Sequence, residues 1–413
     1  GLKLYDLLAG RFRLGKSRPL DREAVLAALP TLEPEQLKGG ILYVDGQFDD
    51  SRLAIALALT ASDRGAVVLN RTPVLRLVKE GGQVRGLVAR DEESGREHTV
   101  RARVVINATG VFADRIRHLD DPSALPTVSP SQGIHLVLPP SFLPGTHALM
   151  VPRTDDGRVL FVIPWHGKTL VGTTDTPVAE AVEEPRPLEE EVAFLLDHAA
   201  RYLTVDPKRS DVLAVYAGLR PLVRPPDEGT ERTASLSRDH HVFTSPSGLV
   251  TIVGGKWTTY RKMAEDVLDR AAQVGELASV PSGTAALRLH GAPNGAVTSD
   301  AGVPTGPLAS YGTDAAAVQG LATADPTLAG LLHPRLPYLR AEVVWGARQE
   351  MARGVEDVLA RRTRALLLDA RASTECAPAV AALLARELGR DAAWEARQVA
   401  DYRALAAQAI LSG

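Results

Sequence analysis

The apolar positions of this chain follow two periods, and the chain changes character where one gives way to the other. Ile41–Val44 is a short apolar run, followed by Asp49-Asp50 and then by Leu53, Leu57 and Ala61 at helical spacing. That pattern predicts a strand and then a helix to about Arg64, with the helix cap accounting fully for Asp49 or Asp50. Ala66–Leu69 reads as a short buried strand. With the run that begins at Pro73 it completes a strand–helix–strand unit of the kind that builds parallel nucleotide-binding sheets. Alternating segments at 74–79, 83–90 and 97–102, separated by Gly81-Gly82 and Ser94-Gly95, predict a β-meander. Val104–Gly110 reads as a buried strand ending in a small-residue turn, and Phe112–Arg117 as the start of a helix. Upstream, Leu2, Leu4, Leu7 and Leu8, then Val25, Leu26 and Leu29, suggest two short helices around the basic segment 11–18, a solvated loop that could also rest on an anionic membrane.

From about residue 130 the texture is different. His135–Leu138, Val159–Pro164, Leu170–Asp175 and Val212–Tyr216 read as strands joined by Pro- and Gly-rich turns, with one helix near 188–203. This predicts an antiparallel sheet. Leu249–Val253 is a β-branched run followed by Gly254-Gly255 and then by Met263, Ala264 and Val267 at helical spacing, so it returns to strand, turn and helix. Residues 278–311, rich in Ala, Gly, Pro and Ser, read as a linker. Beyond them lie helices marked by Leu339, Val343, Val344 and Ala347, by Val355, Val358 and Leu359, by Val380, Leu383, Leu384 and Leu388, and by the Ala-rich 391–411. The predicted class is α/β, with α+β character in the middle layer. The expected organisation is a nucleotide-binding unit at 1–129, an antiparallel layer at 130–247, a return to the first unit at 248–277, the linker, and a helical unit at 312–413.

At 413 residues the chain is too long for one core, which fits this division, and 45% hydrophobic content is enough to bury several. A net charge of −3 without a basic aromatic stripe argues against nucleic acid as a partner. The single Cys376 forms no intrachain disulfide and fits a reducing cytoplasm. Zinc-ligand spacing, a Walker loop and G-x-S-x-G are absent, so no metal is expected.

The chemistry points to two strand ends. At 254–259 the double glycine lets the backbone turn sharply, and the following helix start leaves N–H groups free for negative charge, with Lys256 at the mouth and Thr258 behind it. Ala108-Thr109-Gly110 makes a second bare turn. Arg220, just after a strand, and Arg238, just before one, add guanidinium groups whose planar forks suit a phosphate. His135 is a candidate base, or a hydrogen-bonded histidine lining the sheet. Gly172-Thr173-Thr174-Asp175 could be no more than a self-stabilised turn.

Taken together, Gly254-Gly255-Lys256-Trp257-Thr258-Thr259-Tyr260-Arg261 resembles the GGK-x-TTYR signature of FAD-dependent glycerol-3-phosphate dehydrogenases. The segments around Arg220 (GxRPL), Arg238 (S-R-D), His135 (K-G-S-H, here with Gln132 and Ile134 at the lysine and serine positions), Gly172–Asp175 (GTTD) and Ala108-Thr109-Gly110 resemble further elements of that family. The resemblance implies a Rossmann-like FAD-binding domain interleaved with an antiparallel substrate domain, plus the helical C-terminal domain. It implies oxidation of sn-glycerol 3-phosphate to dihydroxyacetone phosphate, with hydride passing from C2 to the flavin and electrons going on to a quinone, or to oxygen as in related oxidases. By the same resemblance Arg220, Arg238 and Lys256 bind substrate. Ala108, Thr109, Gly110, Gly254, Gly255, Lys256, Trp257 and Thr258 line the flavin, and the catalytic group is His135, Arg220 or Lys256. A homodimer and peripheral attachment to the inner face of the cell membrane belong to the same expectation.

The family's opening G-x-G-x-x-G does not occur, and the chain begins with glycine. The expectation is that a natural N-terminal segment lies outside this sequence. The other readings are an oxidase of amino or hydroxy acids on the same architecture, and a non-catalytic fragment.

Overall fold

The structure, a computed structural model, describes residue 10 and residues 14–152, 154–155, 157–223, 239–293 and 306–412. It begins with a small antiparallel pair, β1 (Arg18–Asp21) and β2 (Gly39–Leu42), around helix α1 (Arg22–Ala28), which Asp21 caps by accepting from Ala24 N. Helix α2 (Asp50–Asp63) follows, with Asp49 as its N-cap. Two expectations fail here. Residues 66–69 form no strand, and Val67 and Leu69 are 85% and 69% exposed. β2 pairs antiparallel with β1, so no strand–helix–strand unit forms at 41–77 among the described residues. An apolar run becomes a buried parallel strand only where neighbours hydrogen-bond its edges and helices cover its faces. None of the described strands pairs with 66–69.

The meander is present as its own sheet, β3 (Val74–Glu80), β4 (Gln83–Arg90) and β5 (Glu97–Arg101), with Gly81 and Gly82 both left-handed at the first turn. The strand expected over 104–110 contracts to β6 (Ile106–Asn107), which leads into α3 (Ala113–Asp120). A six-stranded antiparallel sheet comes next. It comprises β7 (Val128–Leu138), β8 (Leu149–Val151), β9 (Leu160–Trp165), β10 (Lys168–Gly172), β11 (Thr176–Pro177) and, after helix α4 (Glu189–Ala200), β12 (Ala214–Val223). β7 is its centre: β10 and β11 share one edge and β12 covers the other. Then β13 (His240–Thr244) and β14 (Val250–Gly254) form a sheet with β6, in which β14 and β6 are parallel, and α5 (Tyr260–Val274) packs on β14.

The rest is helical: α6 (Ala315–Ala324), α7 (Arg340–Gln349), α8 (Ala365–Leu368), α9 (Ala370–Leu388) and α10 (Ala392–Ala406). The helix expected around Val355, Val358 and Leu359 is a π-helical turn over Asp357–Arg362, closed by Thr363 N donating to Val358 O.

The alternation along β7 sorts its neighbours. Ile134, Leu136 and Leu138 point to one face, where they pack with Val25 of α1, Leu29 just after it, and Val192 and Leu195 of α4. Val137 points to the other face and joins the core of the C-terminal helices, as do Trp165 of β9 and Ala214 of β12. Each fully buried Leu or Ile contributes about 1.5–3 kcal/mol, so a one-residue slip of β7 would forfeit both cores at once. The helical unit is also clamped to α2. Arg52 makes a two-pronged ion pair with Glu350 at 2.7 and 2.9 Å, with its guanidinium 4.3 Å from the Tyr311 ring centre.

Candidate functional site

Because β6 and β14 are parallel, with Thr251 beside Asn107, the turns leaving them emerge at the same sheet edge. The first turn is held by Asn107, which is buried. Its amide donates to Ala113 O at 2.9 Å, and its oxygen accepts from the Thr109 hydroxyl at 2.8 Å. Ala108 and Thr109 are exposed, and the space beside Gly110 (φ +59°) is open. The second turn passes through Gly254 and Gly255 at φ +76° and +84°. A Cβ at Gly254 would stand 2.5 Å from Asp239 O and from Val223 Cγ2, and one at Gly255 would stand 2.4 Å from Met263 Sδ. Only glycine meets both the dihedral and the space requirement. Lys256, Trp257 and Thr258 are exposed just beyond, and Thr259 Oγ1 accepts from Lys256 N as the chain enters α5.

These residues fit a flavin. Two bare turns lie side by side, open space adjoins Gly110, and the start of a 15-residue helix favours negative charge, with a lysine and an indole exposed at its mouth. Ala108, Thr109, Gly110, Gly254, Gly255, Lys256, Trp257 and Thr258 are the residues that could hold it.

The second half of the site lies on β7 and β12. In their register Tyr216 faces His135, Gly218 faces Gly133 and Arg220 faces Ser131. The two-residue period puts all six on one side of the sheet. The His135 ring stacks on Tyr216 at 5.3 Å and 16°, and Trp165 stands 6.1 Å from Tyr216. Two glycines therefore separate an aromatic pair from a cation. The Arg220 head lies over Gly133, where a Cβ would come within 2.5 and 2.7 Å of its terminal nitrogens. Over Gly218 a Cβ would meet nothing within 4 Å. The site is therefore an open strip, floored by Gly218 and flanked by Arg220, His135 and Tyr216.

Among the described residues, one short loop supplies acceptors to Arg220. Its guanidinium donates to Thr173 Oγ1 at 3.3 Å, Thr174 O at 3.1 Å and Asp175 Oδ1 at 3.3 Å. Burial, and secondarily the charge of Arg220, pull the His135 pKa down to about 4. The imidazole is neutral at pH 7, with a lone pair open to a proton. Burial raises the Tyr216 phenol, which stays protonated. On the other edge of β7, Gly172 faces His135, and a Cβ there would come within 2.2 Å of the ring.

His135 and Arg220 thus share one strip. Lys256 is exposed on the turn that abuts Val223, three residues beyond Arg220 on β12. Arg238 lies outside the described residues. The cap does not account fully for Asp49 and Asp50. Asp49 also accepts from Arg364 at 3.0 Å and faces His166 Nε2 at 3.5 Å, and Asp50 pairs with Arg364, which ties α2 to the C-terminal unit. The sequence pointed to Thr173–Asp175 only as a GTTD element or a self-stabilised turn, and it did not assign Tyr216 to the site, because a strand tyrosine is common for other reasons. Among the described residues no group of His, Cys, Asp and Glu could hold a metal.

The family model of FAD dependent oxidoreductases matches residues 2–261, and that of the C-terminal domain of α-glycerophosphate oxidase matches residues 250–395. The mitochondrial glycerol-3-phosphate dehydrogenase of Homo sapiens is 40% identical, over 95% of this chain and 56% of its own length. The mitochondrial glycerol-3-phosphate dehydrogenase SDP6 of Arabidopsis thaliana is 38% identical, over 94% and 66%. The chain thus spans little more than half the length of the human relative. Among solved structures, the glycerol-3-phosphate dehydrogenase from Bacillus halodurans, complexed with FAD, superposes with a TM-score of 0.81 at 30% identity, over 95% of this chain and 80% of that one.

Proposed function

The chain belongs to the FAD-dependent glycerol-3-phosphate dehydrogenase family, and from that premise we propose that it takes part in oxidising sn-glycerol 3-phosphate to dihydroxyacetone phosphate. The observation that carries this reading is the open strip over Gly218, with a fixed guanidinium at one end and a neutral imidazole at the other. FAD, when bound, supplies the acceptor for the C2 hydride. Arg220 binds the phosphate, its planar donors matched to the phosphate oxygens. Binding at that remote group orients the C2–H bond, so the phosphate contributes to the rate as well as to affinity. His135, neutral at pH 7, takes the C2 hydroxyl proton. Lys256 and the N–H groups at the start of α5 would hold negative charge on a bound flavin, with Gly254 and Gly255 giving the backbone its approach. Arg238 adds a second cation for the substrate. A quinone would be the final electron acceptor, and the protein would lie peripherally on the inner face of the cell membrane.

The test is an anaerobic visible spectrum of the FAD-loaded full-length protein with sn-glycerol 3-phosphate, glycine or lactate. Bleaching by glycerol 3-phosphate alone supports the reading, and bleaching by glycine or lactate alone overturns it. A faster reoxidation by a soluble quinone than by oxygen would support the quinone as acceptor, and the reverse would remove it.

A further inference from the structure

We infer that Glu191 is a positioning residue for substrate phosphate, acting through the Thr173–Thr176 loop that holds Arg220; the inference rests on the phosphate-binding role proposed above for Arg220. Among the described residues, the acceptors that orient the Arg220 guanidinium belong to residues 173–175, a stretch with no regular secondary structure. A loop of that kind cannot fix a guanidinium unless something fixes the loop. Glu191 does so. Its Oε1 accepts from Thr174 Oγ1 at 2.9 Å and from Thr176 Oγ1 at 2.7 Å, gripping the chain on both sides of Asp175. Its Oε2 accepts from Gln132 Nε2 at 2.8 Å and from Leu188 N at 3.0 Å. One carboxylate thus joins the loop to β7 and to the first turn of α4. Thr174 Oγ1 also accepts from Ile134 N at 3.0 Å, so the hydroxyl that Glu191 holds sits directly on the strand carrying His135.

The burial of Glu191 supports a role beyond filling space. It is 3% exposed, and its hydrogen-bond donors are an amide side chain, two hydroxyls and a backbone N–H, all of them neutral. An anion in such a place is costly to desolvate, and the hydrogen bonds offset that cost only while all of them are made. The geometry is therefore held tightly. A shift of the loop would carry Thr173 Oγ1, Thr174 O and Asp175 with it, and the guanidinium would turn away from the strip above Gly218. Glu191 itself does not line that strip. Its effect should be read in affinity for the phosphate group, with little in the chemical step.

The experiment uses the FAD-loaded full-length protein and compares wild type, Glu191→Gln, Glu191→Ala, Arg220→Ala and the double variant Glu191→Gln with Arg220→Ala. Two quantities are read: steady-state kcat and KM with sn-glycerol 3-phosphate, and the Kd of inorganic phosphate from its perturbation of the flavin absorption. Glutamine keeps the shape and the acceptor for Gln132 and Leu188, and the threonine hydroxyls can turn to accept from its amide, so it should fold. Expected is a rise of roughly 3–10-fold in KM and in the phosphate Kd for Glu191→Gln and a larger one for Glu191→Ala, with kcat within about two-fold of wild type. Added to Arg220→Ala, Glu191→Gln should have no further effect, because both act through one contact. Wild-type KM and phosphate Kd in Glu191→Gln, or effects that multiply in the double variant, would overturn the inference. If Arg220→Ala itself leaves the phosphate Kd unchanged, the phosphate role of Arg220 fails and the inference fails with it. If Arg220→Ala weakens phosphate and the Glu191 variants do not, the role of Arg220 stands and only the inference is lost.

Discussion

Gly133 and Gly218 face each other across β7 and β12, two register positions from the stacked rings of His135 and Tyr216 and two from Arg220. Their missing side chains play different parts. At Gly133 the vacancy is taken by the Arg220 head, and at Gly218 it stays open. A β-branched residue suits the middle of a strand, so filling Gly218 should leave the fold intact and close the site. Gly218→Val is expected to keep its melting temperature within a few degrees and to lose about 100-fold in kcat/KM, or roughly 2.7 kcal/mol of transition-state binding. Melting curves and steady-state kinetics check this. Unchanged kcat/KM would move the site elsewhere.

His135 makes the fold sensitive to acid. Its pKa is about 4 in the folded protein against 6.5 in the unfolded chain. The unfolded state therefore binds the proton more readily. The penalty is absent above pH 6.5, grows as pH falls through the window from 6.5 to 4, and approaches about 3 kcal/mol at the lower end. A His135→Gln variant does not carry this term. Melting temperatures of the two proteins, followed from pH 8 to pH 4.5, should show wild type falling more steeply. Parallel curves would mean that the imidazole is not held in its neutral form by the fold.

His290 acts in the opposite direction. Its two ring nitrogens face Asp63 of α2 at 2.7 Å and Asp314 at 2.8 Å, so it bridges α2 to the residue before α6. The hydrogen bond to Asp63, aided by that to Asp314, raises its pKa. A raised pKa contributes stability that is fully present below pH 6.5 and is lost as pH rises through the folded value. His290→Asn is expected to lower the melting temperature at pH 6 and to cost less at pH 9. A cost independent of pH would reduce the bridge to a packing contact.

The Arg52–Glu350 pair is buried, with Glu350 3% exposed and also accepting from Trp345 Nε1 at 3.1 Å. Arg52→Ala leaves that carboxylate without its cation and should cost about 3–5 kcal/mol. Replacing both partners by methionine should restore most of the loss, because two apolar side chains need no pairing. Chemical denaturation of the single and double variants distinguishes the two. A double variant as unstable as Arg52→Ala would show that the pair matters for more than charge balance.

Period and turn chemistry made much of this fold readable before any coordinates. The meander needed only alternating residues and Gly81-Gly82, α9 only Val380, Leu383, Leu384 and Leu388, and the α5 start only two glycines followed by threonines, because those signals act between residues near in sequence. Ala66–Leu69 shows the limit. Its composition is that of a buried strand, yet burial depends on neighbours that a local pattern does not specify, and Val67 stands 85% exposed.

The sequence by itself determined which residues carry charge, which turns need glycine, and hence that His135 and Arg220 were candidates. Register decided what they do, since pairing β12 with β7 sets Gly218 against Gly133 and puts the imidazole and guanidinium on one strip. The same holds for Glu191, which reads in the sequence as one of three acids in a helix's first turn and becomes the anchor of a loop only when residues 132, 174, 176 and 188 converge on it. Helix and turn propensities act over a few residues, whereas hydrogen bonds to a buried carboxylate join positions up to 59 apart, and only packing of the whole chain brings those together.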